Sequence, residues 1–219
     1  MTIQIRTMMN HFYLGAALSL AKTSCLEGAP VVRGASSFQT QACVVGAIIC
    51  ATSFLEISIN SLFEEGISRT SRETKFKKVL REVWSEGFDR QPTLAKYQIA
   101  LALARVEGFP IDREPYQSAD TLVSLRNFLA HPKRVFGDDE GEEKLILRLK
   151  SRFDFRESSS ENHALFPDAV LSSGCAAWAV ITAARFVSAF DAKLPVSARL
   201  ATIDLETYLA EAQKLLERE

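Results

Sequence analysis

Ile48-Ile49-Cys50-Ala51-Thr52-Ser53-Phe54-Leu55-Glu56-Ile57-Ser58-Ile59-Asn60 lies in the middle of a segment that is apolar on most sides when wound as a helix. Ser36 and Ser37 can cap its start, and the segment runs to about Glu65. A helix with so little polar surface belongs at the centre of a bundle, so the rest of the chain should supply helices to surround it. Residues 12–26 supply one, cut off by Gly28, Pro30 and Gly34. Thr70 with Glu73 forms a capping box for another, whose stripe of Phe76, Val79, Leu80 and Val83 stops at Gly87. Pro92 to Glu107 is a further helix, ended by Gly108 and Pro110. Leu122, Leu125 and Leu129 mark the buried stripe of a helix ending at His131-Pro132, because the residue before a proline is pushed out of helical geometry. Ala169–Phe190 is apolar nearly all round, and Leu205, Tyr208, Leu209, Ala212, Leu215 and Leu216 make an amphipathic stripe near the end.

Between Pro132 and Pro167 the pattern changes. Gly137-Asp138-Asp139-Glu140-Gly141 reads as a turn and Ser158-Ser159-Ser160 as a loop. Between them Leu145, Leu147, Leu149, Phe153 and Phe155 alternate with charged residues, a period of two that suggests a strand. Leu145, Leu149 and Arg152 would also suit a helix. Thr2–Ile5 is the only other segment available to pair with such a strand. The expectation is one all-α domain over residues 1–219, with four to five core helices and a loop and short-strand insertion near 133–168.

Composition bounds the function. A chain of 219 residues with 47% hydrophobic and 24% charged residues has the make-up of a globular domain and not of a disordered or collagen-like one. Twenty-six basic against 27 acidic residues exclude a polybasic coat for nucleic acid, although a local basic patch remains open. The cysteines, at 25, 43, 50 and 175, lack the short spacings of zinc or thiol-redox sites and read as buried thiols of a cytoplasmic protein. No cleavage site follows the apolar residues 12–21, and the strongly apolar parts of the uncharged stretches fall short of the ~20 residues a span needs. A cytoplasmic chain without membrane contact is expected. With no glycine-rich phosphate loop, metal-type cluster or Gly-x-Ser-x-Gly elbow, no cofactor or metal is expected either.

Ser124-Leu125-Arg126-Asn127-Phe128-Leu129-Ala130-His131-Pro132 carries the chemistry. It resembles the signature of the HEPN superfamily (higher eukaryotes and prokaryotes nucleotide-binding), helical bundles marked by an Arg, most often followed by Asn or another polar residue, and a His four to six residues on. Arg6 before His11 and Arg156 before His163 repeat the bare spacing, but only Arg126 has the Asn, the apolar helical frame and the helix-ending proline. Ala51 to Asn60, with Glu56 in an apolar run and Asn60 one turn on, is similar to the helix that precedes the signature helix in that superfamily. Leu171 to Trp178 is similar to the packing helix that follows it.

The resemblance implies a metal-independent endoribonuclease, of toxin–antitoxin or anti-phage defence type, working as a homodimer on RNA. An antitoxin or a nucleotidyltransferase-like protein would be its other partner. It also implies an alternative, a catalytically silent module that binds a nucleotide, an antitoxin or a partner protein. In the first reading Arg126 and His131 are catalytic, Asn127 orients His131 or holds a phosphate oxygen, and Glu56 supports Arg126. A carboxylate in an apolar run needs a partner, and the resemblance sets its helix beside the signature helix, so Glu56 is expected to hold the Arg126 guanidinium as a buried pair. Lys133, Arg134, Arg148, Lys150 and Arg152 are the expected RNA-gripping cations. On an ideal helix Asn127 and His131 share a face, whereas Arg126 is about 140° from His131. That offset motivates the expectation of a two-fold dimer with its signature helices facing each other.

Overall fold

The computed structural model describes residues 2–27, 35–68, 82, 87–131, 139–155, 166–194 and 204–217. Among them are seven α-helices and no strand: α1 (Thr2–Glu27), α2 (Ala35–Ser68), α3 (Thr93–Leu103), α4 (Tyr116–Ala130), α5 (Asp139–Leu149), α6 (Ser173–Lys193) and α7 (Leu205–Leu216). The chain is an all-α bundle. The capping box at Thr70 and the stripe from Phe76 to Val83 lie outside the described residues.

The apolar helices occupy the middle, as their composition requires. α6 is packed against α1, α2, α4 and α7, and all but three of its residues between Gly174 and Phe190 are buried. Ser172 starts it by accepting a hydrogen bond from the Cys175 N–H at 3.2 Å, as Asp204 starts α7 by accepting from Thr207. α1 lies along α2, and α3 and α4 pack on α2 as well. By length and composition, Phe38–Glu64 of α2 and all of α6 could each cross a membrane. α6 is enclosed by its neighbours, whereas α2 keeps one side open.

Tyr97 ties α3 to both central helices. Its hydroxyl donates to the Leu55 carbonyl of α2 at 2.8 Å, and its ring meets Phe186 and Phe190 of α6 edge-on. Burial pushes the Tyr97 hydroxyl well above the ordinary tyrosine pKa. α3 stops at Leu103, earlier than Glu107, because Arg105 enters the left-handed region at φ 57° and reverses the chain. The Gln98 amide then bonds both the N–H and the carbonyl of Phe109. A Cβ at Gly108 would come within 2.6 Å of that amide oxygen, so a larger residue there would displace the Gln98 side chain from this pair of bonds.

Four local expectations are corrected. The alternating segment is helical through Leu149: Leu145 and Leu149 are buried one turn apart, while Leu147, which a strand would bury with them, is exposed. Asp139, Glu140 and Gly141 accordingly belong to α5 and not to a turn. Thr2–Ile5 is the first part of α1, which satisfies its own backbone groups where a lone strand could not. Finally, all four cysteines are thiols, but only Cys175 is fully buried, because the other three sit on the flanks of α1 and α2.

Candidate functional site

α4 carries Leu122 and Leu125 on its buried face, together with Ala119 and Thr121. That phase fixes the remaining side chains. Arg126, next to Leu125, stands at the edge of the buried face and reaches α2, where its guanidinium is 4.0 Å from a Glu56 carboxylate oxygen. Asn127 and His131, one turn apart, are turned to solvent. His131 terminates the helix: its N–H donates to the Asn127 carbonyl at 2.9 Å, and its backbone leaves the helical region at φ −135°, ψ 67°.

Arg126 and Glu56 are therefore brought together, but not as a buried pair. Glu56 is 42% exposed at its side chain and Arg126 28%. Glu56 falls at the same helical phase as Ile49 and Ser53, on the open side of α2, so the carboxylate stays partly hydrated. The 4.0 Å separation is an ion-pair contact without a hydrogen bond, and Arg126 makes no side-chain hydrogen bond to any described residue. Its guanidinium is held in place electrostatically while its N–H donors stay available.

A residue absent from the sequence-derived site completes the cluster. The Lys96 side chain, from α3, has no exposed surface; its ammonium donates to Asn60 Oδ1 at 2.9 Å and lies 4.0 Å from the other Glu56 oxygen. Glu56 thus stands between two cations from different helices. The signal was present in principle: an acid and an amide one turn apart on an apolar helix require polar company, and Lys96 lies beside the apolar stripe of Leu94, Tyr97 and Leu101. Lysine on a short helix is solvent-facing by default, which hid it.

The expected RNA-gripping cations divide. Lys133 and Arg134 lie outside the described residues. Arg148 donates to Asp120 at 2.6 Å, and Arg152 pairs with Glu114 at 2.6 Å and reaches the Gln117 amide oxygen at 3.4 Å. These two arginines fasten α5 and the residues after it to the flank of α4. Burial pushes the Glu114 carboxyl up, but hydrogen bonds from Ser118 and Arg152 and the Arg152 charge outweigh it and leave the pKa below the ordinary glutamate value. Lys150 is exposed at the end of α5.

Among the described residues no cluster of three His, Cys, Asp or Glu side chains is placed to hold a metal ion. His11 lies with its ring centroid 6.5 Å from that of Tyr208, between α1 and α7. In comparison with known proteins, no family model, curated protein or solved structure matches the chain.

Proposed function

We propose that this chain is an endoribonuclease of HEPN type that cleaves RNA without a metal ion, as a toxin or anti-phage defence effector. The observation that carries the reading is the state of Arg126: aimed by Glu56, unbonded by any described side chain, and on the same helix as an exposed histidine within a motif that resembles the HEPN signature. A guanidinium with open donors is suited to phosphate oxygens, which it can meet in bidentate fashion.

In this mechanism His131 removes the proton from a ribose 2′-hydroxyl as that oxygen attacks the adjacent phosphorus. The bond from phosphorus to the 5′-oxygen breaks, and the departing oxygen takes a proton, from a second His131 or from water. Arg126 stabilises the negative charge that gathers on the non-bridging oxygens. The products are a 2′,3′-cyclic phosphate and a 5′-hydroxyl. Asn127, one turn before His131 on the same face, is placed to orient the imidazole or to hold a phosphate oxygen.

The test is cleavage of mixed RNAs in the presence of chelator, wild type beside His131→Ala, with the product ends identified. Cyclic phosphate ends that disappear in the variant are expected. A strict magnesium requirement, cutting of a 2′-deoxy substrate, or full activity in His131→Ala would overturn the assignment.

A further inference from the structure

A cavity of about 490 Å³ lies where the start of α4, the residues after α5, the middle of α6 and the end of α7 meet. That volume is typical of small-molecule sites, which run from ~300 to 1,000 Å³. The latch that fastens α5 to α4 supplies part of the lining through Glu114, Ser118 and Arg152. Another part is apolar, from Trp178 and Ile181 of α6 and Leu216 of α7. The cavity is separate from the candidate site, because Ser118 and His131 are roughly 20 Å apart along α4.

The charges on the lining divide into a closed pair and an open pair. Glu114 accepts hydrogen bonds from Ser118 and Arg152, and Arg152 also reaches the Gln117 amide oxygen. Arg152 Nε is buried without a hydrogen-bond partner, so even the closed pair leaves one donor unused in the wall. Arg185 and Glu217 are the open pair. Arg185 is the only charged residue between Gly174 and Phe190 of α6, and it is exposed. It forms no ion pair or side-chain hydrogen bond with any described residue, and neither does Glu217, although both line the same cavity. Glu217 follows the last turn of α7, where the carbonyl end of the helix dipole adds to its negative potential. A cation with open donors and an anion at the negative end of a helix are thus presented beside one apolar surface.

We propose that this cavity binds a free amino acid with a large apolar side chain, its carboxylate held by Arg185 and its ammonium by Glu217. The ligand side chain lies on Trp178, Ile181 and Leu216, where apolar contact replaces its hydration. The Arg185 guanidinium is suited to a carboxylate, which it can meet in bidentate fashion, and an ammonium is a compact donor for Glu217 and the last carbonyls of α7. The charge balance agrees, since two arginines and two glutamates on the lining sum to zero, as a zwitterion does. A phosphate ester is the poorer occupant. Glu114 neutralises Arg152, so a dianion would meet one free cation and a second carboxylate. The inference holds whether or not RNA is cut.

Phenylalanine, leucine, methionine and tryptophan, each titrated singly in calorimetry, test this chemistry, and NMR spectra locate a bound one. At least one should bind saturably and shift the signals of Trp178 and Arg185. Arg185→Gln should weaken that binding on the order of 10-fold or more, and Glu217→Gln should weaken it several-fold, because each removes a charge-assisted contact. Both residues are exposed, so helical circular dichroism should be retained in the variants. Phenylpropionate, which lacks the ammonium, and phenethylamine, which lacks the carboxylate, should each bind more weakly than phenylalanine. Saturation by none of the four at millimolar concentration overturns the proposal, as does wild-type affinity in Arg185→Gln or a set of shifts confined to residues outside this lining. Phenyl phosphate binding more tightly than phenylalanine would assign the cavity to anions and overturn it as well.

Discussion

Glu56 of α2 stands 4.0 Å from the guanidinium of Arg126 on α4 and shares its other oxygen with Lys96, 4.0 Å away on α3. One half-exposed carboxylate thereby sets the position of two cations from separate helices. Glu56→Gln keeps the shape and removes the charge, while Lys96 retains its hydrogen bond to Asn60. The expected loss is about 1 kcal/mol in urea unfolding, because partly hydrated pairs at this distance are weak. Cleavage should fall further than stability, since Arg126 loses the charge that aims it. A stability loss above about 3 kcal/mol would mean that the pair behaves as a fully buried one.

Lys96 is the less replaceable partner. Its whole side chain is buried, so Lys96→Ala removes packing as well as the ammonium and leaves Asn60 Oδ1 without this donor. A loss of ~2–4 kcal/mol is expected. Lys96→Met restores most of the volume and should recover part of that loss without recovering cleavage. If Lys96→Met cleaves RNA as the wild type does, Lys96 serves packing alone.

The physical reasons for what could be read in advance differ from element to element. α4 was legible because Leu122, Leu125 and Leu129 recur at the helical period, and α2 and α6 because their apolar runs continue over more turns than a strand uses. α5 was not, since Leu145, Leu147 and Leu149 satisfy a strand until the exposure of Leu147 decides otherwise. Within the site, Arg126 and Glu56 could be paired only through the resemblance, which sets their helices side by side, and Lys96 could not be placed at all, because its burial depends on how α3 lands against α2. The same is true of Arg148 and Arg152. Their alternation with leucine looked like a free basic face, and their partners Asp120 and Glu114 belong to a different part of the chain.

That latch gives a pH-dependent prediction. The Glu114 carboxyl is held below its ordinary pKa by hydrogen bonds from Ser118 and Arg152 together with the Arg152 charge, so the unfolded chain binds its proton more readily than the folded one. The stabilisation is present above the ordinary glutamate range and is lost as pH falls through the depressed folded value. Arg152→Met should therefore lower Tm at neutral pH by a few degrees, and the gap from the wild type should narrow in mild acid. A gap that widens on acidification would contradict the assigned sign. Cross-peaks of α5 should broaden first in NMR spectra of the variant, because Arg148 to Asp120 would remain as the other polar tie to α4.

Arg126→Lys separates charge from shape at the site. Lysine keeps the positive charge that Glu56 attracts but presents a point charge where arginine presents a planar fork. At 28% exposure Arg126 is not needed to fill the core, and Leu122 and Leu125 hold α4 in place without it, so folding should be unaffected. If the guanidinium acts on the phosphate oxygens only as charge accumulates, kcat should fall on the order of 10²-fold while KM changes little. If it instead grips RNA in the ground state, KM should rise and kcat should stay close to that of the wild type. His131→Ala combined with Arg126→Lys should then lose little beyond the worse single change, because groups that act on one transition state are not additive. Losses that simply multiply would show the two side chains working on separate steps, which the proposed mechanism does not allow.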